Sequence, residues 1–102
     1  MRIVVLFNLK AGVEAGDYEA WAKSRDIPSV RSLPSIDDFQ VYRTTGLLGV
    51  DGSSPYQYIE IIDVADMAGF FTDVAGETSK TVAAEFQIFA DAPVFMLTEQ
   101  LD

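Results

Sequence analysis

Residues 56–64 read YQYIEIIDV. The stretch is β-branched and aromatic and holds neither Gly nor Pro, which predicts a strand. Alternation divides it into two faces, with Ile59 and Ile61 on one and Tyr56, Tyr58, Glu60 and Ile62 on the other. Both sets are too apolar for open water, so both faces of this strand need a cover. We expect Ile59 and Ile61, with Phe39 and Val41 of a neighbouring strand, to meet helices. Tyr56, Tyr58, Glu60 and Ile62 then turn the other way, together with Gln40, Tyr42 and Thr44. A second copy of the chain, packed sheet on sheet about a two-fold axis, would cover that tyrosine-rich face.

Working outward, residues 38–45 alternate Phe39, Val41 and Arg43 with Gln40, Tyr42 and Thr44, a second strand. TGLLGVDGSSP, residues 45–55, joins the two as a long, glycine-rich loop. It is expected to be more mobile than its strands and to act as a lid, or to anchor Leu47, Leu48 and Val50 on a partner. Downstream, Asp66 caps a helix with the stripe Met67, Phe70, Phe71 and Val74. Gly76 interrupts it, Val82, Phe86 and Phe89 resume out of phase, and Val94 to Thr98 is extended after Pro93. At the start, residues 2–9 form a near-continuous apolar run, as in a strand covered on both faces. Ala11 to Gly16 is a turn. Asp17 is a candidate N-cap, and Tyr18, Trp21, Ala22 and Arg25 then follow helical spacing, with Glu19 and Lys23 an exposed pair. Pro28 forbids simple continuation, so Asp26 is expected to recap a short second helix that Pro34 ends.

The order is β-α-β-β-α-β in one α+β domain spanning residues 1–102. Right-handed crossovers give one antiparallel sheet with the helices on one face, a ferredoxin-like subunit. Two such subunits would pack sheet on sheet about a two-fold axis. A chain of 102 residues has little spare core for a deep cavity, so a pocket between subunits is the easier one to build.

Lys and Arg number 7 against 16 acidic residues, a net charge of −9. Such a chain repels polyanions, which argues against nucleic acid and against a membrane surface as partners. There is no Cys and no His, which removes thiolate nucleophiles, imidazole bases and the usual zinc and haem ligands. No calcium-loop pattern occurs, and neither a metal nor a cofactor is expected. The first apolar run is short and is interrupted by Asn8 and Lys10, unlike a signal peptide. A cytoplasmic location is the default expectation.

VLFNLKAGV (5–13), YEAW (18–21), RDIPSV (25–30), LPS (33–35), VYRTTGLLG (41–49), PYQYIEIIDVADM (55–67), VAAEFQ (82–87) and the FA, P, F and LTE of residues 89–99 together resemble the REDY-like HapK proteins. This is a branch of the dimeric α+β barrel superfamily with members encoded in gene clusters for prodigiosin-type tripyrrole pigments. The resemblance implies a ferredoxin-like subunit and a face-to-face homodimer. It also implies an accessory or cyclisation-type activity on aromatic, pyrrole- or polyketide-like intermediates of secondary metabolism.

Glu60 is the leading candidate for catalysis. A carboxyl walled by tyrosines and Ile62 loses hydration, which raises its pKa toward acid or base duty; alternatively it is an interface carboxylate held by a partner Tyr or Arg. Tyr58 and Tyr42 are candidates to donate to a developing oxyanion, and Tyr56 to flank a flat ligand; all three also suit a dimer interface. Asn8 is either an amide donor to the ligand or a strand-end residue paired with backbone. Trp21 and Arg25 either line a ligand cavity or close the core, with Arg25 held by a carboxylate. Arg43, on the face of Phe39 and Val41, needs a partner of its own; with Trp21 and Arg25 it defines a second possible cavity between helices and sheet. Glu85 is expected to be exposed. The function these residues suggest is cofactor-free acid–base chemistry on a small aromatic ligand, and the alternative is a non-catalytic carrier supporting partner enzymes.

Overall fold

The computed structural model describes residues 1–102. Its elements are β1 (Arg2–Leu9), α1 (Ala15–Trp21), a π-helical turn (Ala22–Asp26), α2 (Ile27–Arg31), β2 (Ile36–Arg43), β3 (Tyr58–Val64), α3 (Met67–Val74), α4 (Glu77–Phe89) and β4 (Ala90–Leu97). The sheet is antiparallel, in the order β2-β3-β1-β4. This is the ferredoxin-like α+β arrangement expected from the element order. No helix is long and apolar enough to cross a membrane.

All helices pack on one face. Ile3, Val5 and Phe7 of β1, Phe39 of β2, and Tyr58, Ile62 and Val64 of β3 form the core with Tyr18, Ala22 and Phe86. Phe7 is its hub, with Tyr18 and Phe86 edge-on and Tyr58 stacked, ring centroids 5.5, 5.0 and 5.4 Å away.

The phase of β3 is the reverse of the expectation. Directly opposed residues of an antiparallel pair share a face, and the register sets Arg43 against Tyr58, Val41 against Glu60 and Phe39 against Ile62. Phe39, Val41 and Arg43 do face the helices, but Tyr58, Glu60 and Ile62 face them too. Ile59 and Ile61 lie on the open side of the sheet, with Tyr42, Val4, Leu6, Val94 and Met96. The long connection between β2 and β3 left the register undetermined. A lone carboxylate beside isoleucines then favoured the wrong choice, because an ionised Glu does not belong in a core.

Two helix starts also differ. Glu14, not Asp17, is the N-cap of α1, and Asp17 lies in its first turn, where a carboxylate meets the positive end of the helix dipole. Asp26 does not recap a new helix. The backbone stays helical through the π turn into α2, which carries Pro28 in its first positions, and the Asp26 side chain makes no capping bond. Asp66 caps α3 as expected, accepting from the amides of Ala68 and Gly69 at 3.2 and 3.1 Å. β4 begins at Ala90, earlier than its apolar run suggests. A bulge opposite Leu6 to Asn8, with Ala92 at φ 45°, lets the edge strand carry Pro93.

Candidate functional site

Between the helices and the sheet lies a cavity of about 160 Å³ with walls from Val30, Phe39, Ile62, Phe70, Val82 and Phe86. Two acidic residues, Asp26 and Glu60, also line it, and no Lys or Arg does. The sheet supplies one carboxyl: Glu60 lies mid-strand in β3, opposite Val5 on one side and Val41 on the other. The helical layer supplies the second, because Asp26 closes the π turn. Such turns are often found where a helix re-aims a functional side chain.

Both residues are buried, Asp26 with 5% and Glu60 with 4% of its surface exposed. Glu60 Oε1 makes no hydrogen bond. Burial, then the proximity of Asp26, pushes the Glu60 carboxyl well above its usual range. Burial, then the charge of Glu85, pushes Asp26 up to about 7. The Tyr18 hydroxyl is likewise buried without a partner, and burial followed by the charges of Glu60 and Asp26 raises its pKa. Burial therefore favours the protonated, O–H-donating form of Glu60, while Asp26, at about 7, is divided at neutral pH between acid and carboxylate. Two carboxyl groups in such different states can act as proton donor and proton acceptor to one bound molecule.

None of the other expected site residues lines this cavity; they are engaged elsewhere. Tyr58 faces the helices, not a partner, and its hydroxyl donates to Glu19 at 2.7 Å. Arg43 pairs with the same carboxylate, donating from Nε at 2.8 Å. That guanidinium, then Tyr58, lowers Glu19 to about 2, while burial first and Glu19 second push Tyr58 up to about 12. Glu19 thus serves this network and not an exposed pair with Lys23. Tyr18, Glu19, Lys23, Arg43 and Tyr58 border a smaller hollow of about 150 Å³.

Trp21 and Arg25 both donate to Glu85, at 2.8 and 3.0 Å. Glu85 is therefore a half-buried bridge between the first helical segment and α4, not an exposed residue. Trp21 otherwise stacks against Phe86 at 6.4 Å, in the core. Trp21, Arg25 and Arg43 do not converge on one cavity. On the open side of the sheet, Tyr42 is half exposed and donates to Gln40 at 2.9 Å. Asn8 grips the end of the long loop, donating to the Pro55 carbonyl at 3.1 Å and accepting from the Gln57 amide at 2.9 Å. Tyr56 precedes β3, outside the sheet.

Asp26 is the site residue that sequence reasoning missed. Its signal was present: Asp26 lies four residues after Ala22 and eight after Tyr18, on the buried stripe of the helix. Reading it as a cap concealed this. No group of three or more acidic side chains is arranged to hold a metal ion.

Fold and cavity together define a ferredoxin-like α+β protein with a mostly apolar chamber, bearing two carboxyl groups, between its helices and its sheet. The chain belongs to the REDY-like protein HapK family, whose model matches residues 1–101. Among solved structures it is similar to HapK from Hahella chejuensis, with 26% identity and a TM-score of 0.75 over 99% of this chain and 93% of that one. It also shares its fold with SnoaB, a cofactor-independent oxygenase from Streptomyces nogalater, at 13% identity and a TM-score of 0.71 over 97% of this chain and 92% of that one. A dimeric ferredoxin-like protein of unknown function from Thermobifida fusca matches at 16% identity and a TM-score of 0.67, covering 93% of this chain and 85% of its own. No curated protein matches the chain.

Proposed function

We propose that the protein binds an aromatic, pyrrole- or polyketide-like intermediate of secondary metabolism in the helix-side cavity and acts on it by cofactor-free acid–base chemistry, with Glu60 as proton donor and Asp26 as acceptor. The observation that carries this reading is a pair of buried carboxyl groups lining an apolar cavity with no cation to neutralise either. Burying even one such group without a partner costs stability, and a fold retains that cost where the group has work to do. The volume, about 160 Å³, suits one aromatic ring, since an apolar cavity of about 150 Å³ holds benzene. Tyr58, Arg43 and Glu19 border the neighbouring hollow and serve as its supporting network.

The experiment is a titration of the labelled protein with single-ring aromatics, followed by amide chemical shifts. Shifts are expected to centre on Val82, Phe86 and Glu60. Ala83, on the exposed side of α4 and at the cavity wall, is the position at which to block entry. Ala83→Phe is expected to weaken binding about tenfold or more while changing stability by less than about 1 kcal/mol. Shifts centred instead on Val4, Ile59 and Ile61 would move the site to the open face of the sheet and end this reading.

A homodimer completes the proposal. Val4, Leu6, Ile59, Ile61, Val94 and Met96 make the open face of the sheet apolar, with Val94 43% and Met96 37% exposed. A sheet face of this kind needs a cover, and the same face of a second copy supplies one that is self-complementary. Light scattering at micromolar concentration is expected to give twice the 11.2 kDa of one chain. A persistent single-chain mass would remove the dimer but leave the cavity intact, because every residue lining it comes from one chain. The loop 45–55 remains a candidate lid or anchor: Leu48 at its tip is fully exposed, and Leu47 and Val50 bridge across it.

A further inference from the structure

The proposed cavity has an uneven chemistry. Its walls are mostly hydrocarbon and aromatic, with the small hydroxyls of Ser29 and Ser79, and Asp26 and Glu60 bring acidic groups that are both more than nine-tenths buried. Glu60 Oε1 has no hydrogen-bond partner. The cation nearest in sequence, Arg25, is held by Glu85 at 3.0 Å outside the cavity, and Arg43 is held by Glu19. An anionic ligand entering here would meet like charge with nothing to offset it. A purely hydrocarbon ring would fill the volume and leave the carboxyl groups unpaired. A planar ligand with two neighbouring N–H groups matches the two acceptor oxygens of a carboxylate in a fork, and a positive charge on that ligand strengthens both bonds in a water-poor site.

We propose that this cavity selects a flat nitrogen heterocycle carrying a positive charge and two adjacent N–H donors, over neutral and anionic rings of the same size. The inference rests on the cavity being the ligand site. Aromatic walls suit such a ligand twice over, since Phe39, Phe70 and Phe86 offer both apolar contact and ring faces to a delocalised cation. Substrates of this class are amidine-like heteroaromatic rings, and the acid–base pair would hold the ring by its nitrogen edge.

The test is calorimetric titration of the intact protein at about pH 6, where 2-aminopyridine is mostly its ring-protonated cation, with 2-aminopyridine, toluene and benzoate, three single-ring probes of different charge. We expect 2-aminopyridine to bind about tenfold more tightly than toluene or better, and benzoate to give no binding. Asp26→Asn and Glu60→Gln should each weaken 2-aminopyridine about tenfold or more and leave toluene within about twofold. Ala83→Phe should weaken both. If toluene binds as tightly as 2-aminopyridine, or if neither carboxyl substitution changes the ratio between them, charge selection is wrong while the cavity reading stands. Binding of 2-aminopyridine that survives Ala83→Phe lies at another site and also overturns the inference. If none of the probes binds, the cavity is not the ligand site, and both readings fall together.

Discussion

Asp26→Asn is expected to make the protein about 4 kcal/mol more stable at pH 8 and to leave it within about 1 kcal/mol of the parent at pH 4. The carboxyl titrates at its ordinary value of 3.8 in the unfolded chain and at about 7 in the folded one. Between those values the native state keeps a proton that the unfolded chain has released. Unfolding free energy therefore falls as pH rises across that window, and the loss from this group is complete above about pH 7. Glu60 acts in the same direction, because its pKa is also raised. Glu19, Asp63 and Glu85 act in the opposite direction. Their guanidinium partners Arg43, Arg2 and Arg25 lower their pKa values, so the stability they contribute is present at neutral pH and is lost as pH falls below the ordinary carboxylate range. Those pairs are partly open to solvent and individually weak. The parent protein should thus be most stable in mild acid, at about pH 4 to 5. Asn keeps the shape of Asp and has no charge to desolvate, so the decline toward alkaline pH should flatten. Urea unfolding at both pH values, at one fixed protein concentration so that association contributes equally, measures the difference. An equal change at pH 4 and pH 8 would mean that the carboxylate is satisfied in the fold, and would remove Asp26 from the acid–base pair.

The element order was legible because each element carries its own period: the alternation of residues 38–43, the helical stripe from Tyr18, the Asp66 cap and the break at Gly76. That Glu60 would lose hydration was legible too, since an acid between isoleucines in mid-strand has few polar neighbours, but whether a partner group held it was left open. The face to which Glu60 belongs was not. Period two says which residues share a side, but not which side meets the helices, and β3 is apolar on both. Only the pairing of Val41 with Glu60 across the sheet resolves it, and that register depends on a long loop with no turn signature to fix it. The second carboxyl was hidden for a related reason. Pro28 predicts a break, and a break makes the preceding Asp a cap; the π turn instead absorbs the proline and keeps Asp26 on the buried stripe with Tyr18 and Ala22. Neither partner of Glu85 was legible, because the contacts from Trp21 and Arg25 cross sixty and more residues of sequence.

The same β3 phase changes what Glu60→Gln should do. An interface carboxylate facing a partner cation would leave that cation buried and unpaired when neutralised, and the dimer would weaken. Glu60 instead faces the chain's own cavity, where no Lys or Arg lies. The amide should therefore leave folding and association unchanged, and stability at alkaline pH should rise because a raised carboxyl has been removed. Its effect belongs to chemistry. With Glu60 as neutral donor and Asp26 as carboxylate, an electron-rich ring held in the cavity takes a proton at carbon from Glu60 and loses the original ring proton to Asp26. In deuterated water this exchanges ring hydrogen for deuterium without other change to the molecule. Pyrrole is a probe small enough to enter, and proton spectra follow its exchange directly. Exchange should fall by about two to four orders of magnitude in Glu60→Gln, the usual worth of a positioned proton-transfer group. Gln can still donate a hydrogen bond but cannot give up a proton, so binding of pyrrole should change little while exchange is lost. A carrier that only shields its ligand gives a different pattern: the parent protein binds pyrrole but exchanges it no faster than buffer does, and Glu60→Gln alters nothing. That pattern would keep the cavity and remove the catalysis.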